Sequence, residues 1–511
     1  MDQNISATKL YDHCKCPHKV FNDAFVDQTL KDPSSEFLKL LWEKGATHEE
    51  NIMKDFPDFY DCSYGTWAQR EAKTKQAMID GKAVIYQGII KADDLVGIPD
   101  LLIKDEDTYI PCDIKSGRGL DGGDDIEPGI LREHYAMGLC VYFDILERLG
   151  YKNENKIGYI FDVDGDKVAY PLNTPIKMRT GESFWERYFT RKKEIQDIFS
   201  GSIKTTPALG GMCKQCPWYS YCKKEVFAKD DLTKIFYMGR RDRDIICHDL
   251  KIKTVEELAR VDINKVMAIK DAQRDFAGSS FLRGIGSQSL KAYIRRAKVY
   301  ASKKNEPVIF SRFKFPQKEY ELFFDIEDDP MQDFIYLHGV LLRHNGVEKY
   351  HAFVGKEINP ESEKKAWIEF WDFIKQLPHG QFVIYYYGTH EPTAYRHLME
   401  KYPTVIMPHL LDELFSKKKG NAVDLYSDVI CNCTDWPLHS YSVKNIAMLL
   451  GFNWRDKNPS GADSIEWFNS YVNSKDESIL NRILEYNEDD CRAMLVIKDK
   501  LQEMFGQYGK K

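Results

Sequence analysis

A chain of 511 residues exceeds what one hydrophobic core supports, so roughly two to four domains are expected. Its 43% hydrophobic content is ample for burying them, which excludes pervasive disorder. The net charge of −7 and pI near 6.1 exclude a globally basic nucleic-acid binder, so any grip on phosphates must come from local patches.

The opening MDQNISATKLYDHCKCPHK has no apolar signal region, and no run approaches the length of a membrane span. A cytoplasmic protein without membrane contact is expected. In that compartment the 12 cysteines read as buried thiols plus a metal site, not disulfides.

In chain order, residues 7–30 begin with a helical pattern that carries Cys14 and Cys16, and residues 35–53 form a second amphipathic helix ending near His48. Gly97 to Gly117, GIPDLLIKDEDTYIPCDIKSG, predicts a β-hairpin: LLI and YIP mark the strands and KDEDT has turn composition. The hairpin delivers Asp100, Asp113 and Lys115 to one spot. Carboxylates are the hard oxygen ligands that Mg²⁺ or Mn²⁺ prefers, and phosphodiester hydrolysis needs such a cation to neutralise charge and lower the pKa of the attacking water. Lys115 would orient that water or stabilise the developing charge. The glycine and acid cluster of residues 117–129 predicts a mobile loop at the mouth of this site, followed by a helix over 130–149. KIGYIFDVDGDKVAYP, residues 156–171, predicts a hairpin turning at Asp164-Gly165-Asp166, not a calcium loop, because the remaining ligand pattern is missing.

CKQCPWYSYC, residues 213–222, places Cys213, Cys216 and Cys222 where a short loop converges on one metal centre and leaves one coordination position open. Residues 228–304 change to short amphipathic helices, one starting near Thr254. Arg283, Gly284, Gly286 and Lys291 lie around a Gly-Ile-Gly turn before a helix, where backbone amides meet phosphate. The stretch from Ser279 to Lys304 holds seven basic residues and no acidic one. The alternative is a solvated helix between two domains. The last part opens with apolar strands at 319–327 and 334–343, the first ending in Asp325 and Glu327. A buried strand running into a helix over 381–399 carries Glu391 at the junction. In the helix over 483–501 Tyr486 and Asp490 share a face, while Glu488 and Asp489 read as solvated. Asp490 would close a metal site with Tyr486 orienting the attacking water; Asp424 is a further candidate ligand.

Pro99-Asp100 and Asp113-Ile114-Lys115 resemble the PD-(D/E)xK nucleases, and the flanking residues resemble their RecB-like, Cas4-like branch. The resemblance implies that His48, Asp100, Asp113 and the backbone carbonyl of Ile114 hold Mg²⁺ or Mn²⁺. It also implies that residues 77–90 are the preceding helix and first core strand, and that Tyr142 is the nucleic-acid-facing tyrosine of a Q-x-x-x-Y helix in which Gly138 replaces the glutamine. It supplies Cys16, followed by Pro17, as fourth ligand of a [4Fe–4S] cluster with Cys213, Cys216 and Cys222; zinc is the alternative, and Cys14 a substitute ligand. The last part resembles the DEDDy 3′→5′ exonucleases, with Asp325, Glu327, Tyr486 and Asp490 on their motifs and Glu391 standing for an aspartate.

The whole is similar to RecB-like nucleases that join these two units. The implied fold is multidomain α/β: a restriction-endonuclease-like PD-(D/E)xK domain over 1–227, a small helical connector over 228–304 and an RNase H-like domain over 305–511. The implied function is a two-site, metal-dependent nuclease on single-stranded or end-containing DNA. The alternative is a DNA-end-binding module with one or both sites inactive. No G-x4-G-K-[ST] sequence is present, so a helicase partner would act in trans.

Overall fold

The computed structural model describes residues 4–34, 36–122, 129–176, 181–274, 281–457 and 461–507. The chain divides into two compact units, residues 1–207 with 211–223, and residues 208–210 with 224–511.

In the first unit, helices α1 (Ala7–Lys15) and α2 (Pro17–Phe25) replace the single helical stretch expected there. Pro17 disfavours helical backbone at the residue before it, so Cys16 is extended at φ −162° and its side chain leaves the helical path. Then come α3 (Glu36–Met53), strand β1 (Tyr60–Asp61), α4 (Trp67–Ile79), β2 (Val84–Tyr86), β3 (Leu101–Asp105), β4 (Thr108–Ile114), α5 (Glu133–Arg148), β5 (Ile157–Phe161), β6 (Lys167–Pro171) and α6 (Phe184–Phe199). The strands form one mixed sheet in the order β6-β5-β4-β3-β2-β1. The predicted hairpin is β3–β4, antiparallel with Leu101 opposite Cys112. The second hairpin is β5–β6, its turn held by Asp162 Oδ1, which accepts from the Asp164 and Asp166 amides. β4 and β5 are parallel, and the chain between them carries α5, whose residues His134 to Leu146 are all buried, as expected of a helix apolar on every side. Of the predicted loop at 117–129, residues 123–128 lie outside the described residues; at its ends Leu120–Asp121 pairs with Ile130–Leu131.

In the second unit, helices Arg240–Asp249, Val255–Ala259, Ile263–Arg274 and α7 (Ser287–Ala301) enclose a cluster that includes Leu232, Ile246, Leu258, Leu290 and Ile294. The helix start expected near Thr254 is present, with a capping box closed by Glu257. A five-stranded sheet follows, built from β7 (Tyr320–Asp329), β8 (Phe334–His344), β9 (Val347–Val354), β10 (Phe382–Tyr386) and β11 (Ala422–Asp424) in the order β9-β8-β7-β10-β11. The first three strands are an antiparallel meander, and β10 and β11 run parallel to β7 and to one another in turn. Strand alternation sorts the two faces. Leu322, Phe324 and Ile326 pack with Trp367, Phe370 and Trp371 of α8 (Pro360–Gln376) and with Tyr395 and Leu398 of α9 (His390–Lys401). Phe323 and Tyr385 share a cluster with Ile446 of α10 (Val443–Leu449) and Met494 and Ile497 of the last helix. After α11 (Gly461–Ser474) the chain closes with α12 (Glu477–Gln507). Among the described residues no helix is long and apolar enough to cross a membrane.

Candidate active sites

In the first unit Asp100 lies just before β3, and Asp113 and Lys115 at the end of β4. The Lys115 ammonium sits between the carboxylates, 2.9 Å from Asp113 Oδ2 and 3.6 Å from Asp100 Oδ2. Asp100 Oδ2 also accepts from the Ile114 amide at 2.7 Å, so the hairpin itself sets the spacing of the two acids. Burial, with Asp113 and Glu49 nearby, pushes the Asp100 carboxyl up to about 7 against the pull of Lys115, and the two carboxylates raise Lys115. His48 lies on α3, three residues after Gly45, whose missing Cβ would stand 4.0 Å from Ser116 Oγ. Of the expected ligand set, His48 Nε2 and Asp113 Oδ1 are buried without a hydrogen-bond partner, although the set's ligand atoms do not all lie within 4.8 Å of one another. Each such atom costs about 1–3 kcal/mol, and both are of the type a hard or borderline cation takes. The residues present therefore fit a divalent cation.

Tyr142 is corrected from its expected place on a nucleic-acid surface. It is 4% exposed, its hydroxyl donates to the Ile98 carbonyl at 3.3 Å, and burial together with Asp113 and Asp100 raises its pKa. It underlies the site, packed so closely that a Cβ on Gly97 would fall 2.6 Å from its ring. A Cβ at Gly138, one turn earlier on α5, would meet Asp113 Oδ2 at 3.8 Å and Ala7 Cβ at 3.7 Å, both ordinary contacts.

In the second unit, the ligand oxygens of Asp325, Glu327 and Asp490 lie within 4.8 Å of one another, the only such group of three among the described residues. Asp325 and Glu327 are two apart on β7 and so share a face, and β7 shifts register immediately after Glu327, a bulge of the kind that re-aims side chains. Asp490 comes from α12. Trp454 Nε1 donates to Asp490 Oδ1 at 2.8 Å, and Asn487 Nδ2 donates to Asp325 Oδ2 at 2.8 Å and Glu327 Oε1 at 3.4 Å. Tyr486, one turn before Asp490, receives a hydrogen bond from Lys444 Nζ at 2.9 Å. Burial raises all three carboxyls, helped by Asp490 at Asp325 and at Glu327, the latter reaching about 8, and by Asp489 at Asp490; Lys444 opposes the rise at each. Glu391 stands at the start of α9, outside the tight trio but close enough to raise Asp325; burial pushes its own carboxyl up to about 7, and its Oε2 is buried without a hydrogen-bond partner.

Two readings of this unit change. Asp424 accepts from the amides of Gly388, Tyr426 and Ser427 and from the Ser427 hydroxyl, so its carboxylate is spent on a local cap, not aimed at the trio. Asp489 is 3% exposed and accepts from the Arg455 amide and Nε, and Glu488 pairs with Arg455 and Arg492, so neither lies on a freely solvated face. Asn487 and Trp454 as donors to the acids, and Lys444 as donor to Tyr486, escaped the sequence reading.

Cys16, Cys213, Cys216 and Cys222 belong to the first unit and are half-buried. Burial and then the neighbouring Cys16 raise Cys216 and Cys222, the latter to about 12, and Asn22 Nδ2 donates to Cys222 Sγ at 3.5 Å. Cys14 faces away from them, toward Glu133, Arg191 and Arg187, because α1 continues through it while the chain breaks at Cys16. No three of the sulfurs lie within 4.8 Å, whereas a tetrahedral zinc with Zn–S near 2.3 Å needs them about 3.8 Å apart. Four cysteine thiolates are the donor set that a four-iron cluster takes.

At the start of α7, Arg283, Gly284, Gly286 and Lys291 are exposed, and Gly286 caps the helix without a side-chain hydrogen bond. Gly284 has φ +83°, and any Cβ there would collide with Arg241. The expected basic face is smaller than its sequence: Arg295 and Arg296 both pair with the buried Asp435, and Ser279 and Ser280 lie outside the described residues.

Comparison with family models gives two matches. Residues 15–223 match the PD-(D/E)XK nuclease superfamily, and residues 322–502 match the RNase H superfamily. No curated protein matches the chain. The chain therefore carries a PD-(D/E)XK nuclease-superfamily domain at its N-terminus and an RNase H-superfamily domain at its C-terminus, a mixed α/β pair that points to a metal-dependent nuclease.

Proposed function

We propose that the protein hydrolyses phosphodiester bonds of DNA at two separate sites, one around Asp100, Asp113 and Lys115 and one around Asp325, Glu327 and Asp490. The observation that carries this reading is the second trio. Two buried carboxylates and a half-buried one, with their oxygens inside 4.8 Å, repel one another, and Lys444 of α10 and the neutral donors Asn487 and Trp454 offset part of the charge. That arrangement fits a divalent cation site. Bound Mg²⁺ or Mn²⁺ would supply charge neutralisation at the phosphate and a more acidic attacking water.

The chain's own residues do the rest. At the first site Lys115, held by both acids, presents a fixed positive charge toward a phosphate, and Tyr142 and the Ile114 amide keep the acids in place. At the second, Asn487 and Trp454 fix the planes of the carboxylates. The Tyr486 oxygen accepts from Lys444 and keeps a lone pair with which to orient a water. Glu391, set back at the start of α9 with an unpartnered oxygen, would be a further ligand for a cation held by the trio. Cys16, Cys213, Cys216 and Cys222 would hold a [4Fe–4S] cluster that ties α2 to the end of the first unit, so that cluster binding adds to folding free energy. A 3′→5′ direction for the second site and a helicase acting in trans belong to the same reading.

The test is cleavage of end-labelled single-stranded DNA by anaerobically purified protein with Mn²⁺. Activity is expected in the wild type and absent with EDTA or in the Asp113→Ala/Asp325→Ala double variant. Tight DNA binding without cleavage by the wild type would favour a DNA-end-binding module instead.

A further inference from the structure

The geometry points to Gln87 as the positioning residue of the first site, the side chain that fixes Asp100 and ties it to the helix carrying His48. This rests on the metal-nuclease reading of that site.

Gln87 follows β2 directly and has φ +52°, a left-handed conformation that a long side chain rarely adopts. Strain of this kind persists only where the surroundings over-determine it, and here they do. The Gln87 amide donates to the Asp100 carbonyl at 3.0 Å, and the Gln87 carbonyl accepts from Arg70 Nη2 at 2.9 Å. Arg70 Nε in turn donates to the Cys62 carbonyl at 2.9 Å. With its backbone pinned on both sides, the side chain is aimed between two carboxylates. Nε2 donates to Asp100 Oδ1 at 3.0 Å and to Glu49 Oε1 at 2.6 Å. The same Glu49 oxygen accepts from the Tyr86 hydroxyl at 2.9 Å.

Two consequences follow. Asp100 is gripped by both oxygens, Oδ1 from the β2 side and Oδ2 by the Ile114 amide of β4, so its plane is fixed. Glu49 is the residue after His48 on α3, so the bridge through Gln87 sets the position of that helix end against Asp100.

The chemistry of the side chain suits the task. A carboxamide nitrogen carries two protons, one for each carboxylate, and adds no charge. A glutamate there would add a third negative charge. A lysine would cancel charge that a cation needs. Glutamine relieves the contact between Glu49 and Asp100 and leaves the negative potential of the site intact.

The experiment uses full-length protein in an Asp325→Ala background, which silences the second site. Mn²⁺ affinity is read from the free-ion electron paramagnetic resonance signal. Cleavage of single-stranded DNA is measured at limiting and saturating Mn²⁺, and melting by circular dichroism. Gln87→Met keeps size and backbone but removes both donors; Gln87→Glu keeps shape but replaces both donors with an acceptor oxygen. Both are expected to bind Mn²⁺ about 10- to 100-fold more weakly, the usual effect of losing a hydrogen-bond partner of a metal ligand. Gln87→Met is expected to regain most of its rate at saturating Mn²⁺ with its melting transition in place. Affinity unchanged in both variants would overturn the proposal. So would a rate in Gln87→Met that stays as low at saturating as at limiting Mn²⁺, the mark of a merely structural lesion. A parent protein whose Mn²⁺ binding is not reduced by Asp113→Ala would show instead that the metal-site reading has failed, and the proposal would fall with it.

Discussion

Gly339 on β8 is where one methyl group should do most damage to the second site. It sits opposite Asp325 in the sheet, and a Cβ built on it would fall 1.6 Å from Asn487 Oδ1, 2.8 Å from its Cγ and 2.9 Å from the Tyr350 hydroxyl. Asn487 has no slack to give. Its Oδ1 accepts from Tyr350 at 2.8 Å while its Nδ2 donates to Asp325 and Glu327, so moving it breaks three hydrogen bonds at once. At about 1 kcal/mol for each bond, more where the partner is ionised, Gly339→Ala should destabilise the second unit by about 3–5 kcal/mol. Freeing two carboxylates should also cost the second site at least about tenfold in rate, the equivalent of 1.4 kcal/mol. The assay is urea unfolding followed by a probe in the second unit, beside cleavage in an Asp113→Ala background. Coupling gives a sharper signature. Once Asn487→Ala has removed the obstructing amide, adding Gly339→Ala should cost well under the sum of the two single changes. A Gly339→Ala protein within about 0.5 kcal/mol of wild type, or strict additivity with Asn487→Ala, would refute the reasoning.

Gly138 makes the opposite case: its Cβ space is open at 3.7 and 3.8 Å, and glycine inside α5 is costly. Gly138→Ala should therefore stabilise the first unit by about 0.5–1 kcal/mol in denaturant unfolding, with cleavage preserved. The raised carboxyls give a pH dependence. With folded values near 7 for Asp100 and Glu391 and near 8 for Glu327, the folded metal-free protein holds protons that the unfolded chain has released. Stability should thus fall as pH rises from about 6.5 to 8, by at most about 1.4 kcal/mol per pH unit for each group. Below that window the buried His13 and His134, lowered to about 4, and His338, lowered to about 3, act in the other sense, because only the unfolded chain takes up their protons. Saturating Mg²⁺ should remove the slope; a melting temperature that rises from pH 6.5 to 8 without metal would contradict the assigned burial. Replacing Cys222 by serine should abolish bound iron and the visible absorption of the purified protein while Cys14→Ser leaves both unchanged, since Cys14 faces Glu133 and Arg191.

The parts of this architecture legible in the sequence are those written locally. Apolar runs on either side of KDEDT are enough to bring Asp100 and Asp113 together, because a hairpin needs only a short turn to set its register. Tyr486 and Asp490 share a face by helix geometry alone. What stayed hidden depends on contacts between distant residues. Asn487 looks like any polar helix position until β7 arrives beside it, and Gln87 gains its role only when α3 brings Glu49 within reach. The same cause explains the misreadings. Asp489 and Glu488 seemed free because Arg455, which binds both, is not their helical neighbour, and Arg295 and Arg296 seemed to face solvent because Asp435 lies far along the chain. The break at Cys16, by contrast, was open to local reasoning, since Pro17 follows it.

The account stands or falls on whether each carboxylate cluster cuts DNA by itself. The most direct measurement is the product ladder from end-labelled single-stranded DNA with Mn²⁺, comparing Asp113→Ala with Asp325→Ala. Two different residual ladders that add up to the wild-type pattern are predicted. Loss of all cleavage in either single variant would contradict two independent sites.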